Sequence, residues 1–376
     1  MGVVVALGPA DGAADRAVKV VHVHRIRGIG GSERHLLTLL PALAERGVDV
    51  SFVGLDDPDG APEPFYRELP VPFERLPAPR DLDPALAYRL ARTLLSLRPD
   101  IVHTHLVHAD VYGVLAPRTR IVSTKHNPDP FRAGAFRFAE RALTWRAARV
   151  IAISQAVRSF CIEQVGLPAE KVEVVHYGLD ELPRPWAENP PLELGRPLLL
   201  AVCRLEAQKG LETAVRALAK VPGATLLVLG EGAERPALEQ LASSLGVRDR
   251  LVLPGRVGDV AELYRQADLV VHPARWEGFG LAMLEAMLAG KAVVAARAGS
   301  APELVEDGRT GVLVAVDDHR ALAAAVTSLL DDPARGEAMG RAGLERARTE
   351  FSVARMAERT TGVYDTVLRQ SGHVPS

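Results

Sequence analysis

Residues 267–290 read ADLVVHPARWEGFGLAMLEAMLAG, an apolar run followed by a glycine turn and a helical pattern. That order is typical of a buried strand that turns into a helix. With Gly278–Gly280 as the turn, Glu285 falls within the first two helical turns and Glu277 stands ahead of them. Both carboxylates can then reach one ligand, with the unpaired N–H groups of the helix start between them. The segment predicts a place for a phosphate beside acceptors for sugar hydroxyls, or else an ordinary turn with a solvated acid at each end.

The same alternation of strands and helices extends along most of the chain. Continuous apolar runs separated by amphipathic helices are typical of a parallel sheet that is covered on both faces. A proline-rich segment, residues 182–197, interrupts the alternation and is the candidate hinge. The sequence therefore predicts an α/β protein with two Rossmann-like halves. The predicted strands are 18–24, 48–55, 101–105, 121–124, 150–153 and 172–176 in the first half, and 198–202, 225–229, 251–253, 269–272, 292–295 and 311–314 in the second.

The predicted organisation has four parts. Residues 1–183 form the first domain, 184–197 the linker, 198–350 the second domain and 351–376 a terminal helical segment. A chain of 376 residues exceeds what one hydrophobic core usually spans, which agrees with two domains.

Composition limits the classes of protein that fit. A net charge of −2 gives no strongly basic face of the kind that binds nucleic acid. Cys161 and Cys203 are the only cysteines, which argues against a disulfide scaffold and fits a reducing cytoplasm. Residues 1–15 lack the pattern of a signal peptide, and no window reaches the roughly 18 apolar residues of a membrane span. Arginine outnumbers lysine 39 to 6, which is typical of GC-rich bacterial genes. We therefore expect a cytoplasmic bacterial protein.

Residues that follow the strands are informative, because ligands of such sheets bind beyond the carboxyl ends of the strands. Gly30 and Gly31 follow the first strand and permit close approach of the backbone to a ligand, although a plain turn fits as well. Arg204 and Lys209 follow the first strand of the second half, and together they can neutralise a diphosphate. Taken alone, two such cations are more often solvated surface. Gly230 opens a further tight turn after the next strand.

Several histidines also follow strand ends in the first half. His103 and His105 are two residues apart, so they share one face of a strand. His105 lies at the carboxyl end, where a ligand would sit, whereas His103 fits a core position. His108 and His126 follow nearby strand ends. No cysteine or carboxylate completes a zinc set at a recognisable spacing, so we expect no metal site here.

Asp81 and Asp83 match the Asp-x-Asp pattern of metal sites for nucleotide sugars. Asp83 also precedes Pro84 and a helical run, which is the pattern of a helix N-cap followed by proline at the first helical position. We interpret the pair as a cap.

Four groups of residues occur in the order and spacing found in family 4 retaining glycosyltransferases, which this chain resembles: Gly30-Gly31, Arg204…Lys209-Gly210, Gly230-Glu231-Gly232 and Glu277-x7-Glu285. Residues 102–105 (VHTH) and 298–305 (AGSAPELV) fit as well, so the resemblance covers roughly residues 18–365. It implies the GT-B fold, in which two Rossmann-like doubly wound domains face each other across a cleft. It also implies a donor site in the second domain, an acceptor site in the first and a terminal helix that packs back on the first.

The resemblance implies roles for individual residues. Arg204 and Lys209 would hold the donor diphosphate, and Glu285 the ribose hydroxyls. Glu277 would meet the transferred sugar, and His105 would line the acceptor side and touch that sugar. We take His105, Glu277, Arg204 and Lys209 as the catalytic set. The further donor-binding residues are Gly30, Gly31, Gly230, Arg256, Val257, Gly278, Phe279, Gly280 and Leu281, and the further acceptor-side residues are His108 and His126.

Two departures from the family pattern bear on substrate preference. Ser300 and Ala301 stand where a second glycine and a larger apolar residue are common, and His176-Tyr177 replaces the frequent Pro-Asn before Gly178. Neither departure removes a charged group.

We expect transfer of a sugar from a nucleoside diphosphate donor, with UDP favoured over GDP, to a hydroxyl of a glycan, lipid-linked or small-molecule acceptor. The resemblance implies retention of configuration, with a leaving-phosphate oxygen taking the acceptor proton. No metal or other cofactor is expected, because Arg204 and Lys209 supply positive charge. A nucleotide-sugar epimerase of the same fold remains an alternative, as does a non-catalytic sugar-nucleotide binding module. The oligomeric state stays open.

Residues 131–149 read as a basic amphipathic helix with interleaved arginines and aromatics. Such a helix can lie on an anionic membrane surface, where a lipid-linked acceptor would be reachable. The alternative, which we favour, is that Phe136, Phe138 and Trp145 face the core, because aromatics at helical spacing are usually core residues.

Overall fold

Seven parallel strands form the N-terminal sheet of this computed structural model, which describes residues 16–80, 82–113, 119–128, 136–185, 187–189 and 191–370. The strands are β1 (Lys19–Ile26), β2 (Asp49–Asp56), β3 (Phe73–Pro77), β4 (Ile101–His105), β5 (Arg120–Lys125), β6 (Ala147–Ala152) and β7 (Val172–Val174). Their order in the sheet is β3-β2-β1-β4-β5-β6-β7. Every residue of β4 is buried, because helices cover both faces of the sheet.

The described residues contain six helices that accompany this sheet: α1 (Gly31–Glu45), α2 (Glu63–Glu68), α3 (Pro84–Leu97), α4 (Leu106–Gly113), α5 (Phe136–Trp145) and α6 (Gln155–Ser159). A π-helical turn (Phe160–Val165) and a 3-10 turn (Ala169–Lys171) follow. The predicted cap of α3 is confirmed, since the Asp83 carboxylate accepts a hydrogen bond from the backbone N–H of Ala85 at 2.9 Å. Asp81 lies outside the described residues.

Six parallel strands form the C-terminal sheet, and all six were predicted from the sequence. They are β8 (Leu198–Val202), β9 (Thr225–Leu229), β10 (Leu251–Gly255), β11 (Leu269–His272), β12 (Val293–Ala296) and β13 (Gly311–Val314), in the order β10-β9-β8-β11-β12-β13. The helices of this domain are α7 (Leu211–Leu218), α8 (Arg235–Ser244), α9 (Val260–Gln266), α10 (Leu281–Leu288), α11 (Ala301–Leu304), α12 (His319–Asp331) and α13 (Pro333–Glu350). Two Rossmann-like parallel-sheet domains therefore make up the described chain, as predicted.

The last helix, α14 (Val353–Arg369), packs on the N-terminal domain. Its buried residues Met356, Val363 and Tyr364 belong to the same hydrophobic cluster as Val20 and Leu36. The first strand and the last helix of the described chain thus share one core. Helix α14 places Tyr364 against the N-terminal sheet.

Helix α5 corrects the prediction for residues 131–149. It ends at Trp145, and Arg149 belongs to strand β6, while residues 131–135 lie outside the described part. The expectation that its aromatics face the core is wrong for Phe138 and Trp145, whose exposed fractions are 62% and 80%. The cause is Glu140, which turns inward to pair with the buried ammonium of Lys125 at 2.6 Å and so rotates the aromatic stripe outward.

Within the described residues, none of the helices combines the length and the apolar character that a bilayer crossing requires.

Candidate active site

A cleft of about 550 Å³ separates the two domains at the carboxyl ends of their central strands. The loop after β1 and the start of α1 line one side, and the loops after β8 and β11 line the other. The lining includes these predicted site residues: Gly30, Gly31, His126, Arg204, Lys209, Arg256, Glu277, Phe279, Gly280 and Leu281. Sequence positions far apart therefore meet at one place, as expected for open parallel sheets.

Glu277 is the centre of the charged groups in the cleft. The Lys209 ammonium lies 2.7 Å from its Oε2, and His272 Nε2 lies 3.0 Å from the same oxygen. Burial acts to raise the pKa of Glu277, but the hydrogen bond from His272 and the charge of Lys209 outweigh it and lower that pKa to about 2. Glu277 is therefore ionised at neutral pH. His272 was missed from the sequence, although it ends a predicted strand just as His105 does.

The glycines between Glu277 and α10 permit a close approach of the two domains. A Cβ on Gly278 would stand 2.4 Å from the carbonyl oxygen of His126, and the carbonyl of Gly278 accepts a hydrogen bond from the Ser154 hydroxyl at 2.7 Å. Gly280 has φ of 90°, a conformation that favours glycine, and it precedes the first turn of α10. The first N–H groups of that helix have no intrahelical acceptor, and their residues line the cleft.

Ser300, one of the two departures from the family pattern, supports this loop. Its hydroxyl donates to the carbonyl oxygen of Phe279 at 2.7 Å, and it is fully buried. A side chain at this position thus fixes the turn from which α10 begins.

Glu285 lies on α10 with 2% of its surface exposed, and both of its oxygens have partners. The Arg34 guanidinium of α1 donates to Oε1, and the Tyr264 hydroxyl donates to Oε2 at 2.9 Å. Burial raises the pKa of Glu285 above its ordinary value. A ligand hydroxyl that binds this carboxylate has to displace Arg34 or share it.

Arg204 and Gly230 lie together at the edge of the cleft. The Arg204 side chain is 64% exposed, and its guanidinium lies 2.5 Å from Glu206 Oε1. Gly230 has φ of 141° and packs so closely on the Cys203 carbonyl that a Cβ would stand 2.0 Å from that oxygen. Gly230 therefore seats the loop that carries Arg204. Val257 is buried beside Arg256, which lines the cleft.

Among the described histidines of the N-terminal domain, one lines the cleft and others lie behind it. His126 lines the cleft, whereas His105 is fully buried, with its ring nitrogens 2.9 Å from His22 and 3.1 Å from His126. The structure thus places His105 one layer behind the position expected from the sequence, because the loop after β5 folds over the end of β4. His108 lies on α4 and is not among the described residues that line the cleft.

Three of these histidines could in principle hold a metal ion. Ring nitrogens of His22, His103 and His105 lie within 4.8 Å of one another. Every ring nitrogen of the three already has a hydrogen-bonding partner, and the group contains no carboxylate to balance a dication. The set therefore fits a hydrogen-bonded cluster better than a metal site.

Comparison with known proteins places the chain among glycosyltransferases. The family described as "Glycosyl transferases group 1" matches residues 185–346, and "Glycosyltransferase Family 4" matches residues 29–181. Glycogen synthase of Mycobacterium tuberculosis is 30% identical over 377 residues, which covers 89% of this chain and 91% of that protein. N-acetyl-alpha-D-glucosaminyl L-malate synthase of Bacillus anthracis is 27% identical, covering 91% of this chain and 95% of that protein.

Solved structures share the fold of this chain. The crystal structure of Anabaena Alr3699/HepE in complex with UDP and glucose has a TM-score of 0.81 and 25% identity, covering 93% of this chain and all of that chain. Sucrose-phosphate synthase from Thermosynechococcus elongatus has a TM-score of 0.79 over 94% of this chain, at 24% identity. The extent of these matches, together with the two-sheet cleft, shows that this chain belongs to the family 4 glycosyltransferases of the GT-B fold.

Proposed function

We propose that this glycosyltransferase moves a sugar from a UDP-sugar donor, with a GDP-sugar as the second choice, to a hydroxyl of its acceptor with retention of configuration. The observation that carries the proposal is the group formed by Lys209, Glu277 and the start of α10, which places a largely buried cation, a carboxylate and free N–H groups around one volume. An anion such as a diphosphate fits the cation and the helix start, and a sugar fits the carboxylate.

The donor assignment rests on the positive charge of the cleft and on the ligand of a structurally similar protein. Arg204 and Lys209 are the cations that face the cleft from the C-terminal domain, and Arg256 is a third. Anabaena Alr3699/HepE, the structural relative at 25% identity, was crystallised with UDP and glucose. The same kind of ligand suits this cleft, with the base near the backbone of Arg256 and Val257 and the ribose near Glu285.

The proposed reaction breaks the bond between the anomeric carbon and the diphosphate oxygen, and forms a bond from that carbon to the acceptor oxygen on the same face. The acceptor proton passes to an oxygen of the leaving diphosphate. Lys209 leaves Glu277 to meet the developing phosphate charge, and the helix start stabilises the same charge. Glu277, ionised and held by His272, then faces the electron-poor sugar.

We propose that this reaction needs no metal. Two side-chain cations and the first N–H groups of α10 provide positive charge where the diphosphate departs. The side chain of Arg204 is exposed, so it can follow the diphosphate, whereas Lys209 is held against Glu277.

We also propose a peripheral contact between α5 and an anionic membrane surface, which would give access to a lipid-linked acceptor. The exposed positions Phe138, Arg141 and Trp145 share one face of the helix at intervals of three and four residues, and Arg137 is exposed beside them. Aromatic rings and arginines together suit the boundary between lipid headgroups and acyl chains.

A donor screen tests the central proposal. Thermal unfolding of the full chain is followed with UDP, GDP, ADP and dTDP sugars, since a ligand at 100 times its dissociation constant adds roughly 2.7 kcal/mol of stability. The donor with the largest shift is then incubated with an acceptor panel, and NMR gives the anomeric configuration of the product. Inversion of configuration contradicts the proposed mechanism. An isomerised nucleotide sugar without acceptor would instead identify an epimerase.

A further inference from the structure

A continuous hydrogen-bonded chain of side chains crosses the N-terminal domain beneath the cleft. It begins at Thr124 on β5, whose Oγ1 lies 2.7 Å from His103 Nε2, and His103 Nδ1 lies 2.7 Å from the Tyr364 hydroxyl. The Tyr364 oxygen also lies 3.2 Å from His22 Nε2. Tyr364 belongs to α14, so the terminal helix supplies the link between strands β4 and β1.

From His22 the chain continues to the cleft. His22 Nδ1 lies 2.9 Å from His105 Nε2, and His105 Nδ1 lies 3.1 Å from His126 Nε2. His126 Nδ1 then meets the hydroxyl of Tyr177. Tyr177 lines the cleft, with its ring 4.1 Å from that of His35 and 5.2 Å from that of Phe279. The chain thus links a buried threonine to a tyrosine of the candidate site.

At any moment, the hydrogen bonds of such a chain must all donate in the same direction along it. A neutral imidazole has one N–H and one acceptor nitrogen, so a histidine that uses both nitrogens donates on one side and accepts on the other. Burial lowers the pKa of His22 to about 3 and lowers those of His103 and His105 well below the ordinary value, which keeps these rings neutral. Tyr364, with one proton and two neighbours, also donates once and accepts once. All the bonds must therefore point the same way.

The buried end of the chain decides which way. Thr124 is 1% exposed, and within the described part of the protein its hydroxyl has His103 Nε2 as its hydrogen-bonding partner. If the chain pointed toward Thr124, the threonine proton would be buried without an acceptor, which is unfavourable. If it points away, each proton from Thr124 to His126 has an acceptor, and the one proton left over is that of Tyr177, which is 4% exposed but lines the cleft, where a bound ligand can accept it. The second arrangement is therefore favoured.

We propose that Tyr364 is a positioning residue of the transferase. It passes the direction of the hydrogen bonds from His103 to His22 and so holds all four histidines of the chain in the Nδ1–H tautomer. The Tyr177 hydroxyl proton is thereby directed into the cleft. There the hydroxyl donates to an oxygen of the bound sugar or phosphate. The identity of that ligand rests on the proposed function, whereas the polarity of the chain does not. The terminal helix thus acts on the site through its tyrosine.

The polarity is measured directly in the ligand-free protein. In the full chain labelled with ¹⁵N-histidine, two-bond proton–nitrogen correlations identify the tautomer of each ring. We expect the Nδ1–H form at His22, His103, His105 and His126. A mixture of Nδ1–H and Nε2–H rings along the chain, or an imidazolium at any of the four, would overturn the proposal. Because no substrate is needed, this result is independent of whether the protein transfers a sugar from UDP.

Substitution of Tyr364 tests its role. In Tyr364→Phe, His22 Nε2 loses its proton donor, so we expect His22, His105 and His126 to populate both tautomers. The matched control is Tyr66→Phe, another buried tyrosine of the same core cluster, which bonds to Asp56 and not to the chain. Unchanged single Nδ1–H tautomers in Tyr364→Phe would show that Tyr364 does not set them. If that variant fails to fold, Thr124→Val removes the terminal donor instead, with the same expectation and the same contradicting result.

Ligand affinity tests the far end of the chain. Tyr177→Phe removes the hydroxyl aimed at the cleft, and we expect the affinity for the donor sugar selected by the thermal screen to fall about 2- to 12-fold, as for the loss of one neutral hydrogen bond. Tyr364→Phe should lower the same affinity by a smaller factor, because the hydroxyl remains but its direction is no longer fixed. Undiminished affinity in Tyr177→Phe would overturn the assignment of Tyr177 as a donor to the ligand.

Discussion

Arg34 of α1 forms an ion pair with Glu285 of α10, and this contact joins the two domains across the cleft. The side chain of Glu285 is 2% exposed and that of Arg34 is 37% exposed, so solvent reaches the pair only from the Arg34 side. In the proposed reaction Glu285 binds the ribose hydroxyls of the donor. In the ligand-free protein Arg34 is therefore paired with the carboxylate that the ribose of the donor is proposed to bind.

Substitutions in this pair should change donor affinity in opposite directions. Glu285→Gln replaces a charged acceptor and should weaken UDP binding by about 1 to 2 kcal/mol. Arg34→Gln removes a competitor for Glu285 and should strengthen UDP binding a few-fold. Isothermal calorimetry measures both. Arg75→Gln is the matched control, because Arg75 makes ion pairs with Asp56 and Glu63 in the same domain but does not line the cleft. Weaker UDP binding in Arg34→Gln would mean that Arg34 itself holds the nucleotide.

Removing the cations of the cleft should slow transfer. Loss of one preorganised donor to a developing anion costs about 100-fold or more in rate. We expect Lys209→Ala to reach that range and Arg204→Ala to cost less, because the Arg204 side chain is 64% exposed and less tightly held. Steady-state kinetics gives both values, with Lys220→Ala as the control, an exposed lysine just after the end of α7. Near-normal turnover in both cleft variants would refute the diphosphate assignment.

The ion pair of Lys209 with Glu277 should appear in the pH dependence of stability. A folded pKa of about 2, below the ordinary value of 4.5, stabilises the fold above pH 4.5, and this contribution is lost as the pH falls toward 2. Lys209→Met leaves the buried carboxylate with His272 alone, so its pKa should rise. The difference in unfolding free energy between wild type and variant should then be large at pH 7 and shrink below pH 4.5.

A double variant separates this effect from a general loss of packing. In Glu277→Gln with Lys209→Met there is no carboxylate to titrate, so its stability relative to Glu277→Gln should not vary between pH 7 and pH 3. Urea titrations at several pH values measure these differences. If the loss of unfolding free energy in Lys209→Met is the same at every pH, the ammonium does not act on Glu277.

The sheets could be predicted from the sequence because their central strands are continuous apolar runs. Strand β3 was missed, since four of its five residues are exposed and an edge strand of that kind carries no apolar run. Helix α5 was oriented wrongly, because the partner of Glu140 is Lys125, which lies on a strand outside the helical pattern. Local periodicity cannot report such a contact.

The proximity of two of the assigned residues could be predicted where a motif carries them. Glu277 and Lys209 were assigned together, and they lie 2.7 Å apart. Arg34 and Tyr364 could not be found in the same way, because the first meets a residue 251 positions away and the second meets His22 across 342 positions. Tertiary packing alone brings these side chains to their partners.

Activity should survive chelation of metals. The positive charge that we expect to act in the site comes from Lys209 and Arg204. The Asp83 carboxylate already accepts a hydrogen bond as the N-cap of α3. Initial rates with EDTA, and after addition of Mn²⁺ or Mg²⁺, measure the requirement. Loss of activity in EDTA that either cation restores would show that the reaction depends on a metal, and would return attention to Asp81 and Asp83.

Helix α5 should bind membranes through a few exposed side chains. Glu140 and Thr144 face inward, so Phe138 and Trp145 project from the surface together with Arg137 and Arg141. A cation near an anionic bilayer surface contributes about 1 kcal/mol, and the two rings add apolar area that enters the headgroup region. Binding should therefore require anionic lipid, weaken as salt screens the arginines, and depend on both kinds of side chain.

Vesicle flotation distinguishes the two contributions. We expect the full chain to float with phosphatidylglycerol vesicles at low salt and not with phosphatidylcholine vesicles. Replacing Phe138 and Trp145 by serine should abolish flotation, and replacing Arg137 and Arg141 by glutamine should abolish its preference for anionic lipid. Tyr88→Ser is the matched control, since Tyr88 is 68% exposed on α3 and lies outside this face. If the wild type stays in the dense fraction at low salt, or if the serine variant still floats, α5 is an ordinary solvated helix and the acceptor must reach the cleft from solution.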